Sequence, residues 1–216
     1  MKKLLNIVLN LIFPQKCLGC GKENETICPK CLAQINFPSL IEQNNIFSSA
    51  DYNDETVKKA LWQLKYKSRK GLAEPLAELI FQRLKSKINW PDWLIIPIPL
   101  HKNRLKTRGF NQSELIAQKL AEKIQISDVD AKNIGCQTNI LYKIKETPTQ
   151  VSIKNRKDRL KNLENAFKAE NADLIKNKKI ILIDDISTTG ATMKECKKVL
   201  RTAGAKKIIG IVVARG

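Results

Sequence analysis

The sequence predicts an α/β fold, a parallel β-sheet flanked by helices, with a small cysteine-rich module ahead of it. Three observations lead there. Trp93-Leu-Ile-Ile-Pro-Ile-Pro99 and Lys179-Ile-Ile-Leu-Ile-Asp184 are short continuous apolar runs of the kind that strands buried on both faces produce. The second run is followed by a helical pattern from about Ala191 to Ala203 and by another apolar run, Lys207 to Val213. Such a strand, helix, strand unit implies parallel neighbours joined by a right-handed crossover. Residues 14–38, in contrast, are punctuated by cysteine and proline without apolar periodicity, which marks a module held by something other than a core. We therefore divide the 216 residues into an N-terminal helix and metal-binding module, 1–40, and a sheet domain, 41–216.

Taken in order, the chain opens with Lys2 and Lys3 ahead of an apolar stretch ending at Phe13. Asn6 and Asn10 interrupt that stretch, no small-residue cleavage site follows, and it falls short of the ~20 apolar residues a bilayer requires. The expectation is a short helix lying on the protein, with a membrane surface as the second reading. No other segment could span a membrane, so a cytoplasmic protein, at most peripheral to a membrane, is expected.

Cys17-x-x-Cys20 and Cys28-x-x-Cys31 then form two knuckles, with Gly21 and Pro29 suited to the tight turns and seven residues left for a hairpin between them. Four thiolates gathered in this way read as a closed, structural zinc site. Disulfides are the first alternative, disfavoured in a reducing compartment, and an iron–sulfur cluster is the second.

Ile46 to Tyr52 reads as the first strand. Val57, Ala60, Leu61 and Leu64 share one helical face, and beyond Gly71 the same spacing joins Leu72, Leu76, Leu79, Ile80 and Leu84. Pro75 is tolerated there because it falls in the first turn. After the run ending at Pro99 comes a basic loop, His101 to Gly109, and then Asn111 as the cap of a helix carrying Leu115, Ile116, Leu120 and Ile124, with Glu114 placed as in a capping box. Residues 138–162 show no period and read as a long mobile loop. Neither Cys136 nor Cys196 is read as a nucleophile, Cys196 sharing a face with Met193, Leu200 and Ala203. His101, the one histidine, is assigned to packing rather than to catalysis.

Composition bounds the function. Hydrophobic residues at 43% and charged residues at 28% are near the averages of soluble globular proteins, so a folded chain is expected. Lysine and arginine exceed aspartate and glutamate by 39 − 21 = 18. That excess predicts attraction to polyanions, whether nucleic acid, a phosphorylated metabolite or a membrane surface. Much of it is lysine, however, which genome base composition alone can inflate.

The most informative stretch is Ile180-Ile-Leu-Ile-Asp-Asp-Ile-Ser-Thr-Thr-Gly-Ala-Thr192. An apolar strand delivers Asp184 and Asp185 to its C-terminal edge, where ligands bind in open α/β sheets. Ser187, Thr188, Thr189, Gly190, Ala191 and Thr192 then open a helix. Gly190 lets the backbone approach a ligand, and the free N–H groups of a helix start suit a phosphate. Asp184 and Asp185 stand where ribose hydroxyls would reach them. The simpler alternative is a turn in which these residues only cap the helix.

This stretch resembles the signature of type I phosphoribosyltransferases. The resemblance implies that 5-phosphoribosyl 1-diphosphate (PRPP) is the ligand, with Ser187 to Thr192 on its 5-phosphate and Asp184 and Asp185, the catalytic candidates, on its ribose. Ala191 departs from the second glycine that many members carry. For the diphosphate and its Mg²⁺ the resemblance points to the basic segment after the earlier strand, with Arg104 and Arg108 as contacts and Lys102 in support; arginine's planar fork suits phosphate oxygens. Thr147-Pro-Thr-Gln150 and Asn155 to Phe167 are similar to the flexible lid and returning strand of glutamine-type amidophosphoribosyltransferases, with Gln150, Arg159 and Asn162 as lid residues.

Two zinc knuckles, Pro97-Ile-Pro-Leu100 with Arg108-Gly-Phe-Asn-Gln112, Thr147-Pro-Thr-Gln150 with Arg159-Leu-Lys-Asn162, and then the phosphate loop together resemble the ComF family of competence proteins from Cys17 onward. That resemblance implies a role in natural transformation, with single-stranded DNA and other DNA-uptake proteins as partners. A metabolic phosphoribosyltransferase that transfers the group to a small amine or base is the alternative. Turnover and acceptor are not legible.

Overall fold

The computed structural model describes residues 15–36, 45–131, 134–147 and 162–216, the side chains of Asp92 and Val129 excepted. Helix α1 (Pro29–Ala33) closes the cysteine module. Strand β1 (Ile46–Asp51), helices α2 (Glu55–Tyr66) and α3 (Ala73–Leu84), and strand β2 (Trp93–Pro97) follow. Next come α4 (Lys102–Arg108), α5 (Gln112–Ser127), β3 (Leu141–Lys143) and β4 (Phe167–Ala169). Strand β5 (Lys179–Ser187), helix α6 (Ala191–Thr202) and strand β6 (Lys207–Arg215) end the chain.

The main sheet has the order β1-β6-β5-β2, and every pair in it is parallel. Its two central strands are the expected apolar runs. Alternation along β5 sends Ile181 and Ile183 to one face, where they join residues of α2, α3 and α5, and Ile180 and Leu182 to the other, where they meet Met193, Cys196 and Leu200 of α6. Both faces are covered, which is why the run is continuous rather than alternating. Cys17, Ile27, Cys28, Cys31 and Ile35 of the cysteine module belong to the first of these buried clusters, so the module packs on the α2 and α3 side of the sheet.

Two expectations are corrected. The segment expected to be a basic loop is the seven-residue helix α4, capped by His101, whose Nδ1 accepts from Asn103 N at 3.4 Å, and closed by Gly109 at φ 78°. None of the seven residues is buried, so no apolar stripe announced the helix. Part of the expected mobile loop is strand β3, which pairs with β4 in an antiparallel hairpin, Leu141 opposite Ala169 and Lys143 opposite Phe167. Asn111 does cap α5, accepting from Ser113 N at 3.1 Å, while Glu114 accepts from Gln118 within the helix. Residues 1–14 lie outside the described residues, among which no helix is long and apolar enough to cross a membrane.

Candidate functional site

The end of β5 fixes the first half of the site. Strand alternation turns Asp184 and Asp185 to opposite faces of the sheet. Asp184 Oδ1 accepts from Ser113 Oγ at the start of α5 and from Asp185 N, each at 2.9 Å. Burial, and after it the charge of Asp185, pushes the Asp184 carboxyl up to about 8. Asp185 is only 5% exposed. Its Oδ1 accepts from Ile186 N at 2.9 Å, and its Oδ2 lies 3.6 Å from Lys65 Nζ at the end of α2. The carboxylate beside it holds the Lys65 ammonium above its ordinary range.

Beyond the strand, Gly190 has φ 73° and forms the N-cap of α6. A side chain there would be strained and would meet Ile46 Cδ1 at 3.2 Å. Thr189 Oγ1 accepts from Ala191 N at 3.3 Å. Ala191 is the first helical residue and is buried, a position suited to alanine, so the departure from a second glycine costs the loop nothing visible. Asp184, Ser187, Thr188, Gly190, Ala191 and Thr192 line one depression. A buried carboxyl and the positive end of a twelve-residue helix thus meet at one small depression, and such a helix start suits an anion.

The cations assigned to a diphosphate all lie on α4 and meet different partners. Arg108 donates to Gln112 Oε1 and lies 5.9 Å from the Tyr66 ring, and its guanidinium is held below the ordinary arginine range by burial, against which the Asp185 charge acts. Arg104 donates to the Thr147 carbonyl at 2.6 Å, and Lys102 is exposed. Three further residues, unnoticed in the sequence, belong to this group. Lys65 pairs with Asp185, and Ser113 bonds Asp184. Lys143 of β3 donates to Thr147 Oγ1 at 2.7 Å; burial lowers its ammonium, with Arg104 acting the same way and Asp184 opposing. His101, read as a packing residue without an acidic neighbour, is 7% exposed and has Glu146 Oε2 at 3.9 Å. Asn162 is half-buried, whereas Gln150 and Arg159 lie outside the described residues.

The second centre is the cysteine cluster. An antiparallel bridge between Lys16 and Glu23 brackets the first knuckle, Cys17 to Cys20. The sulfurs of Cys17, Cys20, Cys28 and Cys31 all lie within 4.8 Å of one another, Cys20 and Cys28 at 3.7 Å. Tetrahedral Zn²⁺ with Zn–S bonds of ~2.3 Å sets its sulfurs ~3.8 Å apart, so the four fit that ion. Gly19 belongs to the cradle, since a Cβ there would fall 2.6 Å from Cys31 Sγ. Burial raises the Cys17 thiol, but backbone N–H groups of Cys20, Cys28 and Gly19 outweigh it and draw the thiol down to about 6. Hydrogen bonding with Cys28, together with burial, pushes Cys31 up to about 12. Outside the cluster, burial raises Cys136 to about 12 and Cys196 well above its ordinary value, which leaves both inert as nucleophiles.

Comparison with known proteins agrees with both halves. Residues 70–216 match the phosphoribosyl transferase domain family, and residues 8–42 match the double zinc ribbon domain. The chain is 26% identical over 208 residues to Competence protein F of Haemophilus influenzae, covering 89% of this chain and 86% of that protein. It is 28% identical over 208 residues to DNA utilization protein YhgH of Salmonella typhi, covering 89% and 85%. With Competence protein ComFC of Streptococcus pneumoniae it shares 32% identity over 195 residues, 90% of this chain and 78% of that one. The chain therefore belongs to the phosphoribosyl transferase domain family, within the ComF group of competence proteins.

Proposed function

We propose that this protein serves natural transformation in the cytoplasm, binding PRPP with Mg²⁺ at the end of β5 and handling single-stranded DNA through its basic surface. The observation that supports this best is the single concavity in which Asp184 meets the start of α6 at Gly190. In this reading, residues 41–216 hold the ligand and residues 1–40 are the metal-held accessory module. Backbone N–H groups and hydroxyls between Ser187 and Thr192 receive the 5-phosphate. Asp184 and Asp185 accept from ribose hydroxyls. Arg104, Arg108 and Lys102 face the diphosphate, with Lys65 and Lys143 added to them. Mg²⁺ arrives as part of the ligand, and Gln150, Arg159 and Asn162 close over it, which would exclude water from a reactive anomeric carbon. The relatives named for competence and DNA utilization support the cellular role.

Isothermal titration with PRPP and Mg²⁺ tests the ligand. Each carboxylate hydrogen bond contributes about 1.5–3 kcal/mol, so Asp184→Asn and Asp185→Asn should each weaken binding roughly ten-fold or more. Wild-type affinity in the double variant overturns the reading. Diphosphate release with a small amine or base, and without DNA, would identify a metabolic transferase instead.

A further inference from the structure

Helix α2 ends in an exposed aromatic pair. Trp62 and Tyr66, four residues apart and so on one helical face, are 50% and 57% exposed. Their ring centroids lie 6.1 Å apart at an interplanar angle of 47°, so the rings are not stacked on each other and their faces are not used up in that contact. Burying aromatic surface is favourable, and two such rings left side by side in water are unusual for a chain with three tryptophans and three tyrosines.

The charge around the pair is one-sided. Residues 65–70 read Lys-Tyr-Lys-Ser-Arg-Lys, four cations with no acid among them. Lys67 Nζ lies 5.5 Å from the centroid of the Trp62 ring and the Arg108 guanidinium 5.9 Å from that of Tyr66. A partner must therefore offer flat apolar faces and repeated negative charge together. A duplex offers the charge but keeps its base faces stacked inside, whereas a single strand presents both.

We propose that Trp62 and Tyr66 form a stacking platform for the bases of single-stranded DNA, with Lys67 and its basic neighbours on the phosphates. The inference rests on the single-stranded DNA reading above and gives that activity a surface. Lys65, one residue before Tyr66, pairs with Asp185, and Arg108 faces both Tyr66 and Asp185, so the platform adjoins the PRPP site.

The test is titration of the full-length, zinc-loaded protein with oligo(dT) at several salt concentrations. Of the tryptophans, Trp90 is buried and Trp93 half-buried, so quenching in the wild type reports mainly on Trp62, and the anisotropy of a fluorescein-labelled strand compares the variants. Trp62→Ala and Tyr66→Ala should each weaken binding at least about five-fold, and Trp62→Phe, which keeps a ring, should recover much of the loss. Lys67→Ala should lower the slope of log K against log salt by about 0.7, while the aromatic variants leave that slope unchanged. Circular dichroism and PRPP titration on the same preparations confirm that the variants are folded.

If oligo(dT) binds wild type and Trp62→Ala equally, the platform is overturned and the DNA reading survives. If wild type binds no strand, both fall. The platform also fails if Trp62→Ala instead abolishes binding to anionic phosphatidylglycerol vesicles, or dissolves a dimer seen in sedimentation, with strand affinity intact.

Discussion

The cysteine cluster and the end of β5 each crowd ionisable groups of one sign, and they relieve the crowding by different means. In the cluster, four sulfurs lie within 4.8 Å of one another, with Cys17 drawn down to about 6 and Cys31 pushed up to about 12. Four thiolates this close repel one another, and a tetrahedral metal ion is what such a cluster suits. At β5 the backbone separates the crowd. Adjacent strand residues face opposite sides of the sheet, so Asp185 is paired with Lys65 and Asp184 is left with a raised carboxyl. The first arrangement suits a metal ion, whereas the second leaves one carboxyl raised.

The strongest way to break this contrast is to remove the metal. Structural zinc in small modules supplies on the order of 10 kcal/mol of folding free energy, and here the ligands share a buried cluster with α2 and α3. Cys28→Ser, or extraction by a chelator, should lower the melting temperature by about 10 °C or more. Calorimetry with metal analysis checks it, and an unchanged transition with no bound metal would show that the knuckles hold themselves.

The next largest effects separate the two carboxylates. Asp185→Asn leaves Lys65, 27% exposed, without its counter-ion, and should cost about 2 kcal/mol by denaturant unfolding. Asp184→Asn should do the reverse, at any pH above about 4. The folded carboxyl, near 8, lies above its ordinary 3.8, so its contribution is fully present below about 4 and is lost as pH rises toward 8. The asparagine variant should therefore match wild type at pH 4, gain on it up to about pH 8, and gain nothing more beyond. A carboxylate accepts more strongly than a carboxylic acid, so PRPP binding through ribose hydroxyls at pH 7 should also release protons. Its apparent enthalpy should then change with the ionisation enthalpy of the buffer, and a buffer-independent value would place the bound-state proton elsewhere.

The loop after β5 was readable because its signal is contiguous. A buried strand, two acids, a hydroxyl-rich turn and a helix with one apolar face occupy residues 180–203 without interruption. The cation side was not, and for physical reasons. Helix α4 buries none of its residues and so carries no hydrophobic period, and β3 at three residues is too short to show alternation. Lys65, Ser113 and Lys143 reach the site from α2, α5 and β3, through packing that no local spacing announces. The cysteine ligands were legible because two knuckles encode the cluster locally, whereas the fit of Gly19 against Cys31 emerged only in three dimensions.

The smallest predicted effect tests whether the β5 site is a backbone construction, as the contrast with the side-chain-built cluster requires. Gly190 holds φ 73°, a conformation that costs a residue with a Cβ about 1–2 kcal/mol, and the added carbon would press on Ile46 Cδ1 at 3.2 Å. Gly190→Ala should therefore lower stability by about 1 kcal/mol, while relaxation of the loop tilts the N–H groups at the start of α6 away from a phosphate. Inorganic phosphate, which lacks the ribose, isolates that half of the site. Its affinity should drop in Gly190→Ala and stay at the wild-type value in Asp184→Asn. Equal losses in both variants would mean that carboxylate and helix start act as one unit rather than as two.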